Sequence, residues 1–108
     1  MYEIRTAPIK LEDGTEILSY QRDVVDCNIL EVVAGTTGYK GGDSGHGGRT
    51  YFSIKDLAGT DIRVKTIGSE GRGGFEVTLG GDSELETIIQ ALKFITEALE
   101  DEAKGVRD

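Results

Sequence analysis

The chain contains one cysteine, Cys27, and one histidine, His46. An internal disulfide is therefore excluded, as is every zinc site that needs Cys and His in number. Long apolar runs are missing too. None exceeds four residues, against the roughly 20 needed to cross a bilayer, and no basic-then-apolar signal segment opens the sequence. A soluble, cytoplasmic protein with no membrane contact is expected. Bases are scarce: 12 Lys+Arg stand against 20 Asp+Glu, for a formal net charge of -8, and the isoelectric point is near 4.6. A molecule of that charge repels nucleic acid and anionic lipid, so direct binding to either is not expected. Acidity then serves solubility alone or shapes a surface for a basic partner. The 108 residues make one domain, 1–108, able to bury roughly two thirds of the unfolded surface in a real core.

Glycine is what the chain has in excess. Seven of its 16 glycines fall between Gly35 and Gly48 and six more between Gly68 and Gly81. Between the clusters, apolar and polar residues alternate with a period of two, as in half-buried strands. Thr50, Phe52 and Ile54 share one face of a strand, Ile62 and Val64 of the next, and Phe75, Val77 and Leu79 of a third. Ala58 to Asp61 and Gly68 to Gly74 read as hairpin connections. Asn28 to Ala34 is a further strand, and Asp13-Gly14 within Lys10 to Leu18 is a hairpin signal.

The last quarter changes period. Leu85, Ile88, Ile89, Leu92, Ile95, Leu99 and Ala103 follow the three-and-four spacing of one helical face. Ser83 and Glu86 have capping-box spacing at its start, and Gly105 reads as its stop. The predicted fold is α+β: an antiparallel β-meander of about four to six strands with one C-terminal amphipathic helix packed on one face. On that arrangement Leu92→Ala should cost about 2–5 kcal/mol. Phe94 falls roughly opposite Leu85, with Ala91 and Ala98 near it, on the face pointing outward; it is either an ordinary exposed Phe or a contact near the axis of a helix-mediated homodimer.

Charge is unevenly spread. Residues 82–108 hold eight acids and three bases, whereas residues 40–72 hold six bases and four acids. The glycine tract lies in the basic part, running Gly-Thr-Thr-Gly-Tyr-Lys-Gly-Gly-Asp-Ser-Gly-His-Gly-Gly-Arg-Thr-Tyr from Gly35 to Tyr51. So much glycine is entropically expensive to order, so an ordered tract implies positive φ angles or close backbone approach to something. Its amides can form a concave nest for an anion, Thr36, Thr37, Ser44 and Thr50 add hydroxyls, and Lys40, His46 and Arg49 add charge. Tyr39 or Tyr51 would stack a flat ring beside it. The bland alternative is a long mobile hairpin loop kept soluble by its glycines.

Named motifs do not fit the tract. It lacks the Gly-Lys-Ser/Thr and following helix of a P-loop, and the strand-helix-strand unit of a dinucleotide fold, so no cofactor is implied. Gly42-Asp43-Ser44-Gly45 resembles the run around the nucleophile of trypsin-like serine proteases over four residues only, and a Ser44–His46 pair two positions apart cannot align as nucleophile and oriented base. The remaining enzymatic version is acid–base cleavage of a phosphodiester by Asp43 and His46.

The short acidic layout together with the tract from Thr37 to Arg49 resembles small accessory proteins of bacteriophages and mobile elements, among them anti-CRISPR proteins and proteins that sequester immune nucleotide signals. The resemblance implies counter-defence in the cytoplasm of a bacterial host cell and two rival expectations. One is a non-catalytic protein that sequesters a phosphate-bearing small molecule through Thr36, Tyr39, Lys40, Ser44, His46, Arg49 and Tyr51. The other is an acidic inhibitor of a nucleic-acid-binding nuclease, in which Glu97, Glu100, Asp101 and Glu102 stand in for phosphates on a basic host protein. A structural protein of a virus particle is a third.

Overall fold

The computed structural model describes residues 4–42, 47–69 and 72–107, with side chains to residue 104. Strands β1 (Arg5–Lys10), β2 (Glu16–Val25), β3 (Ile29–Thr36) and β4 (Thr50–Ala58) pair in chain order as an antiparallel sheet. Strands β5 (Ile62–Ser69) and β6 (Arg72–Leu79) form a separate antiparallel hairpin, and helix α1 (Asp82–Arg107) follows. The expected α+β meander with one C-terminal helix is therefore present, but in two sheets.

The break between the sheets has a local cause. Gly59 takes φ +67, and the Thr60 amide donates to Asp56 Oδ1. The Thr60 hydroxyl receives the Asn28 side-chain amide at 3.0 Å, while the Gly80 amide donates to the Asp61 carbonyl and the Asp61 amide to Glu84. These bonds tie the connection to the start of β3 and to the first turn of α1, which carries β5 away from the β4 edge. Both β1 and β4 are thus edges of the four-stranded sheet.

Helix α1 packs on β3 and β2. Its buried face is Ala91, Phe94, Ile95 and Ala98, set against Val24, Leu30, Val32 and Ala34. Those four helical positions have i, i+3, i+4, i+7 spacing, the same period as the expected stripe but rotated about the axis. Leu85, Ile89 and Leu92, expected against the sheet, are exposed, and Ile88 and Leu99 are only partly buried. Phe94, expected to point outward as an oligomer contact with Ala91 and Ala98 near it, is instead in the core at 6% exposure, and so are both alanines. The alanines explain the rotation: Ala91 and Ala98 let the helix approach Val32 and Ala34 closely, and Phe94 between them fills the space that close approach leaves. The ends shift as well. The helix begins at Asp82, one residue before the expected cap Ser83, and Gly105 does not stop it.

At the rim of this core, Asn28 Nδ2 also donates to the buried Thr87 hydroxyl at 3.1 Å, joining β3 to the helix. On the other sheet face, the buried Ser19 hydroxyl donates to the Ala7 carbonyl at 2.8 Å. Gly35 is required there. A Cβ at that position would lie 2.6 Å from the Leu18 carbonyl oxygen and 2.8 Å from Ile17 Cγ2, so only glycine lets the Ile17 side chain lie over β3.

Candidate functional site

The glycine tract leaves β3 at Thr36 and rejoins β4 at Thr50, and its two legs are stitched together. The Thr37 amide donates to the Arg49 carbonyl at 2.9 Å, and the Arg49 amide returns a bond to the Thr37 hydroxyl at 2.9 Å. The Thr36 hydroxyl lies 3.1 Å from the Arg49 carbonyl and 3.0 Å from the Thr50 hydroxyl, and accepts the Gly38 amide at 3.0 Å. Gly38 and Gly41 take φ +79 and +73, the left-handed region that glycine adopts without strain. At Gly48 a Cβ would collide with the Gly38 carbonyl oxygen, so the two legs touch backbone to backbone. The base of the tract is built, which a structureless linker would not need.

Above this base lies a pocket of about 510 Å³. One wall is Gly38, Tyr39, Lys40, Gly41 and Gly42, the floor includes Thr36, Gly48 and Thr50, and the far wall is the end of α1 at Leu99, Glu100 and Ala103. The helix is latched there, because the Glu102 carboxylate accepts the Thr36 amide at 3.2 Å. Burial raises the Glu102 pKa above its ordinary value and Asp101 adds to the rise, while the Thr36 amide opposes it.

The expected site residues divide three ways. Thr36, Tyr39 and Lys40 line the pocket, together with Gly48 and Thr50. Arg49 and Tyr51 are not in its lining. The Arg49 guanidinium is turned outward to Asp13 at 2.8 Å and to the Gly47 and Gly48 carbonyls, and Tyr51 lies on β4 beside an apolar groove. Ser44 and His46, with Asp43, lie outside the described residues. The acidic set is brought to the same end of the molecule: Glu100 lines the pocket and Glu102 latches it, whereas Glu97 and Asp101 border a separate cleft with Tyr20 and Arg22. Sequence reasoning missed Leu99, Glu100 and Ala103 as partners of the loop; no local signal joins a loop to a helix some sixty residues on.

Asp13, which Arg49 engages, has its pKa lowered from the ordinary 3.8 to about 2, first by the Thr15 backbone amide and then by Arg49. A depressed carboxylate favours folding above the ordinary value and loses that contribution as pH falls through about 2. A carboxyl NMR titration should place the Asp13 midpoint near 2 and, in Arg49→Ala, return it only part of the way, because the larger cause remains. A wild-type midpoint at 3.8 would refute the contact.

Among the described residues no group of three or more His, Cys, Asp or Glu side chains is placed to hold a metal ion, and no helix is long and apolar enough to cross a membrane. No protein-family model, curated protein or solved structure matches the chain.

Proposed function

We propose that the chain is a non-catalytic binding protein that holds a small phosphate-bearing molecule, such as a signalling nucleotide, in the pocket between the glycine tract and the end of α1. The observation that carries this reading is the stitched, positive-φ glycine wall facing a cavity of about 510 Å³, within the 300–1,000 Å³ typical of small-ligand sites. Lys40 supplies charge to a phosphate, and the Thr50 hydroxyl, which lines the same pocket, supplies a further polar group. Glu100 favours a nucleotide over bare phosphate, because a carboxylate repels an anion but accepts hydrogen bonds from ribose hydroxyls or a base amine. Tyr39 offers an exposed ring for stacking. Sequestration of this kind fits a phage counter-defence role in a bacterial cytoplasm. A second reading keeps one observation in its favour: Glu97, Glu100 and Asp101 lie exposed at i, i+3, i+4 on one helix, as an acidic decoy for a basic channel requires.

A thermal-shift screen of linear and cyclic nucleotides tests the proposal. A true ligand at a hundredfold excess over its dissociation constant should stabilise the protein by about 2.7 kcal/mol. Lys40→Ala should remove most of that gain and leave the empty protein's melting temperature unmoved, because an exposed lysine contributes little to stability. No shift with any nucleotide, alongside salt-sensitive loss of partner inhibition on charge reversal at Glu97 and Asp101, would replace this reading with the acidic-inhibitor one.

A further inference from the structure

Hairpin β5–β6 is two-faced. Ile62 pairs with Leu79 and Val64 with Val77 across the strands, so these side chains share a face with Phe75. That face is scarcely covered: Val64 is 64% exposed and Phe75 55%. The hairpin meets the four-stranded sheet through the Phe75 ring, whose centroid is 6.1 Å from that of Phe52. A lone two-stranded hairpin is marginal in water, and this one leaves its apolar side open. Between that side, the β4 edge and α1 runs a groove of about 600 Å³ whose lining carries no charged residue. Next to it the helix presents Leu85 at 57% exposure, Leu92 at 52% and Ile89.

We propose that this surface pairs with a second copy of the chain, the hairpin face of each copy covering the Leu85–Ile89–Leu92 stripe of the other. The chain carries both halves of the contact, a concave apolar groove and a convex apolar helix stripe, as a two-fold interface that uses one patch twice requires. The dimensions agree. Strands of eight residues reach about 26 Å, enough to lie across a helix about 10–12 Å wide. Val64, Phe75, Phe52, Leu85, Ile89 and Leu92 stand 40% to 64% exposed, which at roughly 150–250 Å² for a whole large side chain makes on the order of 500 Å² per copy, the bulk of the roughly 800 Å² that a standard interface takes from each partner. An uncharged groove on a chain of net charge -8 offers nothing to a basic protein, which leaves an apolar partner surface as its match.

The charge also gives the association a distinctive sign. Two copies of net charge -8 repel at long range, so added salt should tighten the dimer, whereas it would loosen a complex with a basic protein. Sedimentation equilibrium of the full chain should give twice the 11.6 kDa chain mass, with a dissociation constant that falls as salt rises. Val64→Glu and Leu92→Glu, both exposed in the single chain, should each keep the far-UV circular dichroism and weaken pairing about a hundredfold, as loss of an interface anchor does. If either variant fails to fold, hydrogen exchange of the wild type decides: the β5 and β6 amides should gain protection as concentration rises. A wild-type chain that stays monomeric to high micromolar concentration, a dimer indifferent to both substitutions, or hairpin exchange independent of concentration overturns the proposal.

Discussion

Phe94→Ala is expected to lower unfolding stability by about 3–5 kcal/mol, the usual loss for a buried aromatic side chain. Leu92→Ala, at dilutions where the chain is monomeric, should stay within about 0.5 kcal/mol of wild type, as exposed substitutions do. The contrast is sharp because the two residues lie two positions apart on one helix and differ in exposure, 6% against 52%. Neighbouring Ala91 and Ala98 have no side chain that could swing into the space a missing Phe94 ring would leave, so little of the cavity would collapse. Urea titrations followed by circular dichroism measure both changes. Equal losses, or a larger loss at Leu92, would mean that α1 is rotated to bury the leucine stripe.

Asn28→Asp is expected to cost about 3–5 kcal/mol at neutral pH, the range for an unpaired buried charge. The Asn28 side chain is 1% exposed and donates from Nδ2 to the Thr60 and Thr87 hydroxyls, which pass their own protons to backbone carbonyls. An ionised aspartate has no proton to give them. Burial holds its folded-state pKa above the unfolded value, so the variant should regain stability as pH falls below about 4 and lose it as pH rises through the raised value. Denaturation midpoints at low and neutral pH check this. A variant as stable as wild type at neutral pH would show that the Thr60–Asn28–Thr87 junction does not hold the inter-sheet connection to the helix.

The period of the helix and the alternation of the strands were legible in the sequence because each is a local repeat. The rotation of the helix was not. Apolar residues surround much of α1, and counting large ones points to Leu85, Ile89 and Leu92, whereas close packing selects Ala91 and Ala98 for being small. Phe94 was misplaced by the same bias. Likewise the alternation in Ile62 to Leu79 identified strands but not their separation from β4, which depends on Asn28 meeting Thr60 across 32 residues. Of the pocket, the glycine wall with Tyr39 and Lys40 could be read from composition and charge. Arg49 was assigned to the ligand because nothing in its neighbourhood reveals Asp13, 36 residues earlier, which takes its guanidinium. Glu100 and Glu102 were read as belonging to a rival surface, although the fold sets them against the loop.

The pocket wall facing the glycine tract is the last part of a helix, fastened to β3 by the Glu102–Thr36 bond. Helix ends open and close within about 0.1–1 μs. Far slower is the escape of any tightly held guest, so this wall cannot time it. For a ligand bound as proposed, departure would then wait on its own bonds to the glycine wall, and residence time would be a property of the loop and its occupant rather than of the helix end.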